Sequence, residues 1–367
     1  MINSLQSLRG FFAVMVFLSH FVVNGAGDRA YYDGGTMGVE YFIVLSGFVL
    51  CAGYESRIER ASIGYKDFVL RRLIRIFPLH LGCLALWAVV AYKFTDYAAS
   101  EIVPNLLLVQ SWFPDQYIYY GCNTPSWCLS TLLFCYLMFP LLIWCYERHR
   151  KLFVASWGAL MAAYVVFLST GALRLGESAQ TWLTRVIPVV RLLDFVLGML
   201  LWQLFASLRV TGFAAKVRGL SPVAKTMVEC VPVALYIIAA CVAAGLSFTW
   251  LSQAVWWIPT LVAILVFSLM DKAGGALSRL LDSRALVAFG NASFCFYLLH
   301  LPLMNGLRRV LNFAGVDYGN VSFFVMTLLT VIVVSLLVSR YIDVPLVRRL
   351  KRILIRKKDP APRHSSR

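Results

Sequence analysis

The sequence predicts an all-α polytopic membrane protein with about ten transmembrane helices and both termini in the cytoplasm. Two observations carry this. Hydrophobic residues make up 60% of the chain and charged residues 14%, with a mean hydropathy of +0.74, whereas soluble domains sit near half apolar and a quarter charged. The basic residues also gather between alternate apolar runs, the arrangement that sets membrane orientation.

A bilayer core needs about 20 apolar residues per helix, and ten runs meet that length: 7–25, 36–54, 74–95, 125–146, 152–172, 186–206, 228–247, 250–270, 287–307 and 321–341. Runs seven and eight nearly touch, so a tight hairpin is expected there. No internal repeat, removable leader or second domain is apparent. The expected organisation is a transmembrane domain over 1–345 and a basic cytoplasmic tail over 346–367, lying first against anionic headgroups. With ten spans laid out in order, 27 of the 34 Lys and Arg residues fall on one side. Only Arg29, Lys93, Arg174, Arg185, Arg191, Arg308 and Arg309 remain on the other. The net charge of +16 therefore reads as topology, not nucleic-acid binding. Nine cysteines without a CxxC pair read as small buried apolar residues, with no metal site expected. No phosphate-loop or dinucleotide motif occurs.

Ionisable groups inside spans are costly and face a cavity or a partner. His20, Glu40, Asp194 and His300 qualify. Arg9 and His20 are eleven residues apart, so on a helix they share one face to within about 20° and lie about 16 Å apart. The first and ninth spans both run outward, which places His20 and His300 at similar depth. His80, after "RRLIRIFPLH", is expected at the membrane interface in a structural role. In the same stretch Arg72 and Arg75 share a helix face, a geometry suited to phosphate; ordinary topology-setting charge is the alternative.

Six stretches together resemble the acyltransferase 3 family of membrane O-acyltransferases. They are "SLRGFFAVMVFLSHF" with Arg9 and His20, "GVEYFIVLSGFVL" with Glu40, "FVLRRLIRIFPLH" with the RxxR pair, "RLLDFVLGML" with an acid and a glycine, "GNASFCFYLLHLPL" with His300, and "RYIDVP". "NTPSWCLSTLLFCYLMFP" matches a further family stretch at Trp127, Leu129, Ser130, Tyr136 and Pro140, but carries Leu132 where the family has a carboxylate.

The resemblance implies transfer of an acyl group, commonly acetyl, from cytoplasmic acyl-CoA to a hydroxyl of a cell-surface or lipid-linked carbohydrate, in the plasma (inner) membrane. It implies His20 as the general base, with Arg9, Glu40 and His300 in the catalytic centre, His300 orienting the acceptor, sharing the proton or serving structure. Arg71, Arg72 and Arg75 would hold CoA phosphates; Trp127, Ser130, Arg191 and Asp194 would line the acceptor site. Arg9, Arg191 and His20 are all open as partners for Glu40 and Asp194. A small secondary metabolite such as a macrolide is the alternative acceptor, and a proton-coupled transporter the alternative from another class.

Overall fold

The structure, a computed structural model, describes residues 2–21, 28–59, 63–91, 98–170, 176–245 and 252–355. It is helical throughout, with no strand among the described residues. In chain order the helices are α1 (Asn3–His20), α2 (Asp28–Glu59), α3 (Tyr65–Ala91), α4 (Ala99–Leu107), α5 (Gln116–Tyr119), α6 (Trp127–Arg148), α7 (Arg150–Thr170), α8 (Glu177–Thr181), α9 (Pro188–Val210), α10 (Phe213–Arg218), α11 (Pro222–Gly245), α12 (Ser252–Val255), α13 (Trp257–Leu269), α14 (Ala276–Leu281), α15 (Arg284–Phe313), α16 (Asn320–Val338) and α17 (Val344–Leu354).

Eight helical segments among the described residues are long and apolar enough to cross a membrane. The two other expected spans are α1 and α13. Five of the first seven residues of α1 are polar or charged, Gln6 and Arg9 among them, and only Leu5 and Leu8 are apolar, which lowers its hydropathy. Helix α13 is strongly apolar but only 13 residues long. Both pack inside the bundle against α2 and α9 or α15, so the protein surrounds them more than lipid does. The expected hairpin before α13 falls on 246–251, outside the described residues.

Helix α3 corrects a boundary. It begins at Tyr65, nine residues before the expected span, because Arg71, Arg72 and Arg75 lie inside the helix with their long stems along apolar neighbours. His80 is therefore mid-helix, fully buried, with its Nε2 2.9 Å from the Asn105 carbonyl of α4. It is a structural tie inside the bundle, joining α3 to α4.

The central helices are α1, α2, α9 and α15; α1 packs on α2 and α15, and α2 on α9. Helices α7, α11 and α16 lie outermost. On α16 the exposed residues Val321, Val325, Leu329, Val333 and Leu337 recur every four positions, an apolar stripe of the kind that faces lipid. The basic end of the bundle is closed by short pieces. Ser4 donates to Asp282 at 2.9 Å and Ser7 to the Leu281 carbonyl at 2.5 Å. The buried Glu229 of α11 accepts from the Gly275 and Leu277 amides at 2.6 and 3.0 Å, satisfying the free N–H groups where α14 starts.

Candidate active site

Two glycine crossings determine which side chains meet. Where α1 passes α15, a Cβ on Gly290 would fall on the Gln6 carbonyl and one on Gly10 would sit 2.7 Å from the Phe289 ring. Where α2 passes α9, a Cβ on Gly47 would fall on the Phe195 carbonyl and one on Gly198 on the Val44 carbonyl. Glycine is required at these contacts because backbone touches backbone. Both belong to stretches that carry the family resemblance, and both place ionisable groups.

The first crossing brings the two histidines together. His20 lies ten residues beyond Gly10, and His300 ten beyond Gly290; the helices stay in contact over that length, and the two rings sit 5.3 Å apart, inclined at 34°. His300 is fully buried, between the rings of Phe17 and Phe296 at 6.2 and 6.4 Å. Its Nδ1 is 2.7 Å from the Tyr297 carbonyl. A carbonyl only accepts, so Nδ1 carries the proton and Nε2 presents a lone pair. That Nε2 is buried without a hydrogen-bond partner.

The second crossing assembles a charged triad. Arg191 Nη1 lies 3.1 Å from Glu40 Oε2 and 2.9 Å from Asp194 Oδ2, with all three side chains at most 3% exposed. Trp257 of α13 donates to Asp194 Oδ1 at 2.9 Å, and Arg191 Nη2 to the Thr184 carbonyl at 3.3 Å. Of the partners left open by sequence, Glu40 and Asp194 both take Arg191. Arg9 instead donates to Gln6 at 3.1 Å.

At the other end of α1 the cations converge. Arg9 interacts electrostatically with Arg75, Tyr136 and Tyr41. The Arg72 guanidinium lies 4.7 Å from the Tyr54 ring centroid and 5.9 Å from that of Tyr136, and donates to the Tyr54 hydroxyl at 2.6 Å. Arg75 pairs with Asp343 at 2.5 Å and lies over Phe294. The Nε atoms of Arg71 and Arg72 are buried without partners.

Trp127 and Ser130 stand at the start of α6, where the chain enters from the segment 98–126. Their polar atoms serve that segment: the Ser111 hydroxyl donates to the Trp127 carbonyl at 2.8 Å, and the Ser111 amide to Ser130 Oγ at 3.3 Å. Leu132, at the position of the family's carboxylate, packs against the main apolar core.

Sequence reasoning missed Asn123 and Tyr297. Pro302 lacks an N–H, so the Leu298 carbonyl four residues earlier has no α-helical donor. Asn123 Nδ2 donates to it at 3.0 Å, and the Tyr297 hydroxyl donates back to the Pro125 carbonyl at 2.9 Å. The segment before α6 is thereby stapled to the turn that carries His300. Cys122, at φ 54°, holds the left-handed conformation just before Asn123. The clue in the sequence was Pro302 itself, which leaves the carbonyl four residues before it without a helical donor.

Among the described residues the protein is a helical bundle with eight segments able to cross a membrane, a histidine pair between two central helices and a cationic cluster near one end. The sequence profile described as an acyltransferase domain matches residues 2–340, and the chain belongs to the acyltransferase 3 family. It is 32% identical over 337 residues to the acyltransferase MdmB of Streptomyces mycarofaciens, covering 84% of this chain and 80% of that protein. It is 26% identical over 216 residues to a Komagataeibacter xylinus protein named "Putative membrane-bound transacylase BcsY", covering 55% of this chain and 51% of that one. No solved structure matches the chain. The protein is a multi-pass membrane O-acyltransferase.

Proposed function

We propose that the enzyme moves an acyl group, acetyl in the simplest case, from acyl-CoA to a hydroxyl of a cell-surface or lipid-linked carbohydrate. On this reading the basic end faces the cytoplasm of a plasma (inner) membrane and receives the donor, while the histidine end receives the acceptor. The observation that carries it is the His20–His300 pair, about 16 Å along α1 from Arg9. A flexible pantetheine arm is of the length needed to span that gap. Arg71, Arg72 and Arg75 hold the phosphates, to which paired guanidinium groups are suited.

In the reaction, His20 removes the acceptor hydroxyl proton as the oxygen attacks the thioester carbonyl. The new C–O bond forms, the tetrahedral oxyanion collapses, and the C–S bond breaks. The coenzyme A thiolate takes the proton back from His20, so no net proton is released. His300, its Nδ1–H held by Tyr297, offers Nε2 as an acceptor that orients His20 or the substrate hydroxyl. Arg9, at the basic end of the track, holds the pantetheine–phosphate region of the donor. The Glu40–Arg191–Asp194 triad fixes α2 against α9 and lines the acceptor side with Trp127 and Ser130.

The test compares host cells lacking the gene and complemented with wild type or with His20→Ala. Mass spectrometry of their surface glycans should find an ester-linked acyl group with wild type, and at least about 100-fold less with the variant, as expected for losing a general base. Equal acylation with both would remove His20 from the mechanism. An acyl ester appearing instead on a small secreted metabolite would replace the carbohydrate as acceptor.

A further inference from the structure

Helix α17 carries four cations, Arg348, Arg349, Lys351 and Arg352. A helix that only lay on headgroups would present them all outward. Arg348, Arg349 and Arg352 are indeed exposed, but Lys351 is half-buried. The cause is the packing of α17. Val347 is buried with Ile74 of α3, and Leu350 and Leu70 complete the contact. Lys351 follows Leu350 and lies one turn beyond Val347, so it is drawn to the α3 side. The residues of α3 interleaved with that contact are Arg71, Arg72 and Arg75, none of them exposed, so the half-buried Lys351 shares their side of the α3–α17 seam. Asp343, just before α17, pairs with Arg75.

Four cations from two helices therefore share one half-buried corner, with Asp343 as the acid paired there. Like charges so placed repel, and each could have been solvated separately. The corner makes chemical sense when a multiply charged anion sits in it. Arg71 and Arg72 also keep buried Nε atoms without partners.

We infer that Lys351 is a phosphate-binding residue of the donor site, and that α17 forms the wall of that site opposite α3. This rests on the acyl-CoA reading above and extends it to a second helix. The ligand chemistry is a phosphate-rich anion, which both coenzyme A and an anionic lipid headgroup supply. Coenzyme A is favoured because Lys351 lies on the α3 side of α17, off the outward face shared by its three exposed basic neighbours. A lysine contributes a point charge beside the planar arginine forks.

The experiment is calorimetric titration of coenzyme A, and separately of adenosine 3′,5′-bisphosphate, into the full-length protein in nanodiscs of neutral lipid. Lys351→Gln should weaken both by about tenfold, the expected loss of one charge-assisted hydrogen bond, and Lys351→Arg should bind within about threefold of wild type. Arg349→Gln removes the same charge from the exposed face of α17 and should bind as wild type does. Identical affinities for Lys351→Gln and Arg349→Gln would overturn the assignment while leaving the donor reading intact, provided Arg72→Ala still weakens binding. Failure of wild type itself to bind coenzyme A would sink both. Anionic lipid in the nanodisc abolishing the difference between Lys351→Gln and wild type, by occupying the corner, would assign it to a headgroup and overturn the donor role.

Discussion

Replacing Asn123 by alanine removes the donor that closes the Leu298 carbonyl, and the structure says what that costs. The carbonyl is exposed to this loss only because Pro302 supplies no N–H, and it lies in the buried part of α15, between Tyr297 and Leu299. An unsatisfied buried acceptor costs about 1–3 kcal/mol, so Asn123→Ala should destabilise the protein by that amount. Pro302→Ala restores a backbone N–H at the right position, and the penalty of Asn123→Ala in that background should shrink. A double-mutant cycle between Asn123 and Pro302, read by reversible unfolding in detergent micelles, should give a coupling of about 1–2 kcal/mol. Coupling below about 0.5 kcal/mol would refute the reasoning, as would a neutral Asn123→Ala. Acyl transfer should fall in Asn123→Ala and recover in part in the double variant, because the turn so held carries His300.

Two further outcomes are expected. Gly198→Ala places a methyl group against the Val44 carbonyl, so α2 and α9 must part; a loss of about 1–3 kcal/mol, measured by the same unfolding assay, should accompany lost transfer, and wild-type stability would show the crossing to be loose. Arg191→Met leaves Glu40 and Asp194 as two buried acids beside each other, which should cost about 3–5 kcal/mol; in that variant Glu40→Gln should recover part of the loss, and no recovery would mean that Glu40 does not depend on Arg191.

How much of this was legible in the sequence follows from what kind of spacing each feature depends on. For the histidines, sequence spacing spoke only to depth along their helices; that the His20 and His300 rings sit 5.3 Å apart depends on the Gly10–Gly290 crossing, which spacing does not reveal. The acids of α2 and α9 were legible as needing partners, but the choice of Arg191 over Arg9 depends on where Gly47 and Gly198 let two backbones touch. Helix ends were read less well. The arginines of α3 looked like the end of a span because charge normally marks one, whereas here they lie within the helix and shift His80 to its middle. Pro302 announced an orphaned carbonyl, but nothing local announced Asn123, which arrives from a different part of the chain. Lys351 was hidden among ten basic residues from Arg340 onward, since exposure, not sequence, sets it apart.

The glycine contact between α1 and α15 has a mechanical consequence. The two helices touch backbone to backbone at Gly10 and Gly290 and stay packed for the ten residues beyond, so they keep a common spacing along that length. A methyl group added at Gly290 would therefore be felt about 15 Å away, at the tips that carry the imidazoles. The reach between the two rings is set about three turns from the chemistry, and the turn just past His300 is held from outside by Asn123.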